Sequence, residues 1–354
     1  MRKFRFAMVA AVAASVSLLL SACGSGSASG GGGASASSGS GEKIVVGLSN
    51  SNVDSVWRPQ MLKDFEAEAK KLESNGVISD YIIQNADGTA AVQAQQIQTM
   101  VNQGVNVLLI DAASADALNG VVDSAIARGV TVVSFDNPIT SEKSVNLYQD
   151  EQKISAETAE QLATIIGGKG TVVMMNGTAG APLSDAREKL AEAVFAKYPD
   201  ITVIKEYADW NGATAKQKMA TVLANNKDIA AVWTQGSMAP SIASAFEDEG
   251  LPLPPIVGDG LGGFLETWAQ LRDENGYQTV GIVVSPAIVL DALWAGVKLH
   301  QGWTMKEREP ILSHELITND NLDSYLKLGT PAGSHVDVPI VAEQELYDNY
   351  MTAP

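Results

Sequence analysis

The sequence predicts an α/β protein built on two parallel sheets, each flanked by helices. Three observations carry this. Short β-branched runs alternate with longer amphipathic stretches from residue 43 to 302. The short runs are apolar throughout, as strands buried on both faces are. The alternation gives nine or more strands, and a long irregular excursion, "NPITSEKSVNLYQDEQ" (137–152), breaks it midway. Such a break reads as a crossover between two sheets.

The elements follow in order. "KIVVGL" (43–48) is a buried strand, and 55–74 a helix in which Trp57, Met61, Phe65, Ala69 and Leu72 recur at three- and four-residue steps. "DYIIQ" (80–84) is a strand, followed by a helix over 89–104 with Gly104 at its C-cap. "VNVLLIDA" (105–112), a helix over 114–128 and "VTVVSFD" (130–136) complete the first half. In the second half strands fall at 170–175, 201–207, 229–233, 254–258 and 277–284, with helices near 184–197, 213–225, 238–249 and 263–274. A last helix runs over 287–302. Second and third crossings are expected near Ser285-Pro286 and near "ILSHELIT" (311–318).

The first 41 residues stand apart. "MRKFRF" carries three cations, and the 14-residue apolar run that follows is too short for an ordinary membrane span. Leu20-Ser21-Ala22-Cys23 then resembles the lipobox of bacterial lipoproteins. The resemblance implies a signal peptide over 1–22 and a lipid-modified Cys23 that joins the mature chain to a bilayer. Residues 24–41 are almost entirely Gly, Ser and Ala, a flexible tether with a typical span of about 24 Å. Cys23 is the only cysteine, so no internal disulfide forms, and one Cys with three His is a poor basis for a metal site. The net charge is −17, and the body is more acidic once the N-terminal cations are set aside. Such a body does not suit nucleic acid.

Five stretches, "QNADGTAAVQAQQIQTMVNQGVNVLLIDAASADAL" (84–118), "VTVVSFDN" (130–137), "NGTAGAPLSDAREKL" (176–190), "YADWNGATAKQKM" (207–219) and "IVGDGLGG" (256–263), stand in an order and spacing that resemble the periplasmic binding proteins of the ribose and galactose type, the solute receptors of ABC sugar importers. The likeness covers nearly all of 43–302 and is weaker after 310. It implies two Rossmann-like lobes, three hinge segments and a sugar held between the lobes. The lobes expected are 42–148 with 285–314, and 149–284 with 315–354.

Sugar recognition needs planar polar groups that pair with vicinal hydroxyls, and an aromatic plate for the C–H face of the ring. After the first strand, Ser49, Asn50, Trp57 and Arg58 offer these, Trp57-Arg58 standing where the family often has two aromatics. Asp136 matches the family's sugar-binding aspartate, and Asn137 stands where an arginine is common. Arg187 matches a family arginine, while Asp185 replaces a second, ligand-facing one. Trp210 matches an aromatic wall and Asp259 a ligand aspartate. Gly236-Ser237 departs from a usual Asn-Asp, leaving Gln235 to take over, and Val284-Ser285 departs from a usual Gln.

Other chemistries are disfavoured. Gly258, Gly260 and Gly263 satisfy G-x-G-x-x-G, but Asp259 would set a negative charge in a pyrophosphate loop. The chain has no G-x-S-x-G, and His300, His314 and His335 lie toward the end, where surface or core histidines are the ordinary reading. LacI-type repressors share the fold but begin with a basic helix-turn-helix. The expectation is therefore a binding protein without cofactor or catalysis, on the outer face of the cytoplasmic membrane. Its partners are a monosaccharide, an ABC permease and, through Cys23, the lipid bilayer. A sensor that presents a sugar or furanosyl signal to a chemoreceptor or kinase is the alternative the sequence leaves open.

Overall fold

Two separate parallel sheets organise the chain, as the strand grammar predicts. The structure, a computed structural model, describes residues 43–312 and 314–354. The expected signal peptide, Cys23 and the tether lie outside the described residues. Lys43–Pro354 form one compact unit.

The first half runs β1 (Val45–Asn50), α1 (Trp57–Ser74), β2 (Asp80–Asn85), α2 (Ala90–Asn102), β3 (Val107–Asp111), α3 (Asn119–Ala127), β4 (Thr131–Phe135) and β5 (Val145–Gln149). A π-type turn over Gln152–Glu157 leads into α4 (Thr158–Ile165). The second half continues with β6 (Lys169–Asn176), α5 (Pro182–Phe195), β7 (Asp200–Tyr207), α6 (Gly212–Asn225), β8 (Ala231–Thr234), α7 (Ala239–Asp248), α8 (Gly262–Asn275) and β9 (Gly281–Ile282). After it come α9 (Ile288–His300), β10 (Thr304–Met305), β11 (Ile311–Leu312), β12 (Leu316–Ile317), α10 (Leu322–Leu326) and β13 (Met351–Thr352).

The first sheet has the order β11-β5-β4-β3-β1-β2, with every pairing parallel. Every residue of β3 is buried, as its unbroken apolar run requires. On one face α1 turns Trp57, Met61, Phe65, Ala69 and Leu72 inward, joined by α9. Gly296 lets α9 approach closely, since a Cβ there would sit 2.8 Å from Val107 Cγ1. The second sheet has the order β7-β6-β8, again parallel, with α6, α7 and α8 supplying one core and α4 and α5 the other.

Four expectations change. The excursion 137–152 is not only a crossover, because it contains β5, which pairs in parallel with β4. The passage to the second sheet begins after it, in the turn and helix 152–165 that the sequence reading left unassigned. The strands expected at 254–258 and 277–284 shrink to single bridges, Val232 with Ile256 and Gly258 with Gly281, plus the two residues of β9. Pro252, Pro254 and Pro255 remove the backbone donors a longer ladder would need. The helix expected over 114–128 begins only at Asn119.

The fourth change concerns the tail. Residues 315–354 were expected with the second half, and Ile317, Leu322 and Val336 do pack there. From Ile340 onward the tail returns to the first core, where Ile340, Val341, Leu346 and Met351 are buried. The Asp291 carboxylate in the first turn of α9 accepts the Ile340 and Val341 amides at 3.0 and 3.3 Å, and β13 pairs antiparallel with β10. Buried apolar side chains and two capped amides outweigh a continuation on the second half.

Candidate ligand-binding site

Between the two sheets, beyond the carboxyl ends of their strands, lies a cavity of about 320 Å³. Open parallel sheets place ligands at these ends. Trp57 and Arg58 open α1, and Asp136-Asn137 follow β4. On the facing side stand Arg187 of α5, Trp210 before α6, Gln235 after β8 and Asp259. All eight line the cavity.

Ser49 and Asn50 do not, and the structure corrects that reading. Ser49 is fully buried, and its hydroxyl accepts from Gln93 Nε2 at 3.1 Å. The Asn50 side chain is spent one layer beneath the cavity, donating to Asn85 Oδ1 at 2.8 Å and accepting from Arg58 at 2.7 Å. Both strand-end residues therefore support the floor.

The first wall is an ion-pair layer. The Arg58 guanidinium pairs with Asp111, whose side chain is fully buried, and lies 5.9 Å from the Trp57 ring centroid. Burial pushes the Asp111 carboxyl up to about 6, with Arg58 pulling the other way and the Asp136 charge adding to the rise. Asn137 donates to both Asp111 (2.8 Å) and Asp136 (2.9 Å), and Gln149 donates to the other Asp136 oxygen at 2.8 Å. Trp57 is 8% exposed and gives its indole N–H to the Val284 carbonyl at 2.9 Å, tying α1 to the second crossing.

The second wall is built similarly. Arg187 is buried and paired bidentately with Glu151, at 2.7 and 2.9 Å. Burial works against its charge, but Glu151, Asp136 and Asp259 outweigh that and hold it protonated. Asp185 is exposed and instead accepts the Gly180 amide at 3.1 Å, so the cavity receives the arginine. Gln235 donates to Asn176 Oδ1 and to the Ser184 carbonyl, both at 2.9 Å, and Trp210 donates to the Gln235 carbonyl at 3.0 Å.

Backbone strain is concentrated here. Among the described residues, Asp136, Asp209 and Trp210 are the non-glycine residues with positive φ, at 57°, 54° and 51°. All three line the cavity. A tryptophan in that region costs of order 1–3 kcal/mol and persists because its surroundings hold it there.

The cavity also holds buried polar atoms left without hydrogen-bond partners. Both Asp259 carboxylate oxygens, Gln235 Oε1 and His335 Nδ1 are such atoms. Burial pushes the Asp259 carboxyl up from its ordinary range, and His335, 3.7 Å away, opposes this. Each orphaned group costs about 1–3 kcal/mol, which a guest with matching donors and acceptors recovers. His335 was missed by the sequence reading. Ser237 and Asn52 also line the cavity. Arg58 and Arg187 are already compensated, while Asp136 and Asp259 are acceptor groups facing the space. The arrangement suits a neutral guest rich in hydroxyl donors and repels an anionic one.

Residues 46–299 match the periplasmic binding protein domain. A xylitol-binding protein of Mycolicibacterium smegmatis is 28% identical over 253 residues, 68% of each chain. A ribose import binding protein of Bacillus subtilis is 26% identical over 68% of this chain and 76% of its own. Among solved structures, an ABC transporter solute binding protein of Thermobispora bispora superposes with a TM-score of 0.78 at 27% identity, covering 86% of this chain and 94% of its own.

Proposed function

From the premise that the chain belongs to the periplasmic binding protein domain family, we propose that it captures a neutral monosaccharide or pentitol between its halves and hands it to an ABC importer. The observation that carries this is the set of orphaned polar atoms, from Asp259, Gln235 and His335, around one cavity with the Trp57 and Trp210 indoles in its walls. Hydroxyls satisfy the former and C–H faces pack on the latter. Relatives named for xylitol, ribose and D-xylose support this ligand class. Binding shifts the population toward the closed arrangement, which a permease recognises, and the protein itself performs no turnover.

The same proposal sets the body outside the cytoplasm, held by acyl chains on Cys23 and lifted by the 24–41 tether. Its support is the cationic start, the short apolar run and the lipobox pattern. Two or more acyl chains anchor stably where one is marginal. Cells fed labelled palmitate should label the wild-type protein, and Cys23→Ser should abolish the label.

The binding claim is tested by thermal shift against D-xylose, D-ribose, xylitol and myo-inositol, with a sugar phosphate, an amino acid and a purine as controls. Saturation near 1,000 times Kd adds about 4 kcal/mol of stability. A rise with the amino acid or purine and none with any polyol would overturn the ligand class.

A further inference from the structure

His335 belongs to a loop that carries no periodic signal, yet it is 1% exposed and faces the cavity. The loop is fixed to the second half by its backbone. The Gly262 and Gly263 amides donate to the Ser334 and Ala332 carbonyls, and the Val336 amide donates to the Gly260 carbonyl. A Cβ at Gly262 would stand 2.3 Å from the Thr330 carbonyl oxygen, so only glycine admits this approach. The imidazole is then held at two points. Nε2 lies 2.9 Å from Ser237 Oγ, while Nδ1 has no hydrogen-bond partner and stands 3.7 Å from the equally unpartnered Asp259 Oδ2.

The other half reaches the same residue. Gln60, on α1, donates its Nε2 to the His335 carbonyl at 2.9 Å and accepts the His335 amide on Oε1 at 3.0 Å. One side chain thus satisfies both backbone groups of a residue across the cleft. A second cavity of about 760 Å³, between the start of α1 and residues 328–337, shares Ser55 and His335 with the first. His335 therefore borders both cavities.

We propose that His335 is a ligand-contacting residue, its Nδ1 and the Asp259 carboxylate sharing the guest's hydroxyls, and that Gln60 is the residue that positions it across the cleft. This rests on the reading of the cavity as a polyol site. Gln60 is not exposed to the guest. It acts by holding the 335 backbone where the ring meets the ligand, which links ligand contact to the approach of the two halves.

Calorimetry with whichever of D-xylose, D-ribose and xylitol the wild-type protein binds tests this. Asparagine keeps a polar atom at the δ position and loses the one that meets Ser237; glutamine does the reverse. His335→Gln should weaken binding roughly tenfold, and His335→Asn should keep most of it. Gln60→Ala should weaken binding severalfold in the wild-type background and add less than about twofold on top of His335→Gln. Unliganded melting curves confirm that each variant is folded. Wild-type affinity in His335→Gln overturns the contact, and an equal Gln60→Ala loss in both backgrounds overturns the positioning. If the wild-type protein binds none of the three sugars, the reading of the site falls before any variant is compared, and this inference with it.

Discussion

The Trp210 indole lies flat on the backbone of Gly177: a Cβ built at Gly177 would fall 2.2 Å from Trp210 Cε2. Gly236 also leaves room for the ring, since a Cβ there would be 3.2 Å from Trp210 Cδ1. The left-handed backbone at Asp209 and Trp210 turns the ring into this slot, and Asn211 then caps α6 by accepting the Thr214 amide at 3.0 Å. A glycine just past the end of β6 thus determines where an aromatic plate from the next connection can rest. Gly177→Ala should displace the ring and weaken sugar binding roughly tenfold, as loss of an aromatic contact worth about 1–1.5 kcal/mol does. Titration calorimetry checks this, and unchanged affinity would show that the plate does not meet the guest.

Asp259 gives a prediction in which stability and binding move in opposite directions. Asp259 is 4% exposed, neither carboxylate oxygen meets a hydrogen-bond donor at bonding distance, and burial raises its pKa. Asp259→Asn removes a buried charge that burial disfavours and that His335, Ser237 and Arg187 offset only in part in the unliganded protein. The unliganded variant should be as stable as wild type or more so, by up to about 1–2 kcal/mol, while the sugar-induced thermal shift disappears. A variant that is destabilised and still shifts with sugar would contradict both halves.

Much of this was legible in the sequence because a parallel sheet aims its strand ends at one place. Asp136 and Asp259 each follow an apolar run, and that position alone puts them at the cleft. Ser49 and Asn50 share the position but not the role, because the next layer, Arg58 and Gln93, takes their hydrogen bonds; sequence spacing does not show depth. His335 was illegible for another reason. Its loop is placed by backbone bonds to 260–263, so no side-chain pattern announces it. The signal present was Gly262-Gly263, which the sequence reading quoted within "IVGDGLGG" but did not read as a close approach of another segment. The return of the tail from Ile340 was hidden likewise, since it depends on two amides meeting Asp291.

Arg58 and Asp111 form the buried pair beneath the first wall, with side-chain exposures of 12% and 0%. Arg58→Ala would leave Asp111 buried and uncompensated, which should cost about 3–5 kcal/mol in chemical denaturation. Adding Asp111→Ala to it should restore most of that stability, because the stranded charge is gone, but not the affinity for sugar. Stability in the single variant equal to that of wild type would show that solvent reaches Asp111 and that the pair does not support the wall.

A carboxyl pair between α1 and the tail makes stability depend on pH. Asp64 is pushed up to about 7, by burial first and then by the charge and hydrogen bond of Asp337, with Lys63 opposing. Asp337 lies two residues beyond His335, so the pair joins the same two segments that the Gln60 clasp joins. An unfolded aspartate titrates near 3.9. Between about pH 4 and about 7 the folded protein therefore holds a proton that the unfolded chain has released. The pair's contribution to stability is fully present below that window and is lost as pH rises through it. Asp111 and Asp291, raised to about 6 and about 8 chiefly by burial, tilt the wild-type curve the same way, while His314, lowered to about 4 by burial, tilts it the opposite way. The informative quantity is thus the difference between wild type and Asp64→Asn in urea unfolding. That difference should favour the variant progressively from pH 5 to pH 8. If it is the same at both, Asp64 and Asp337 do not share a proton and the segments meet there by packing alone.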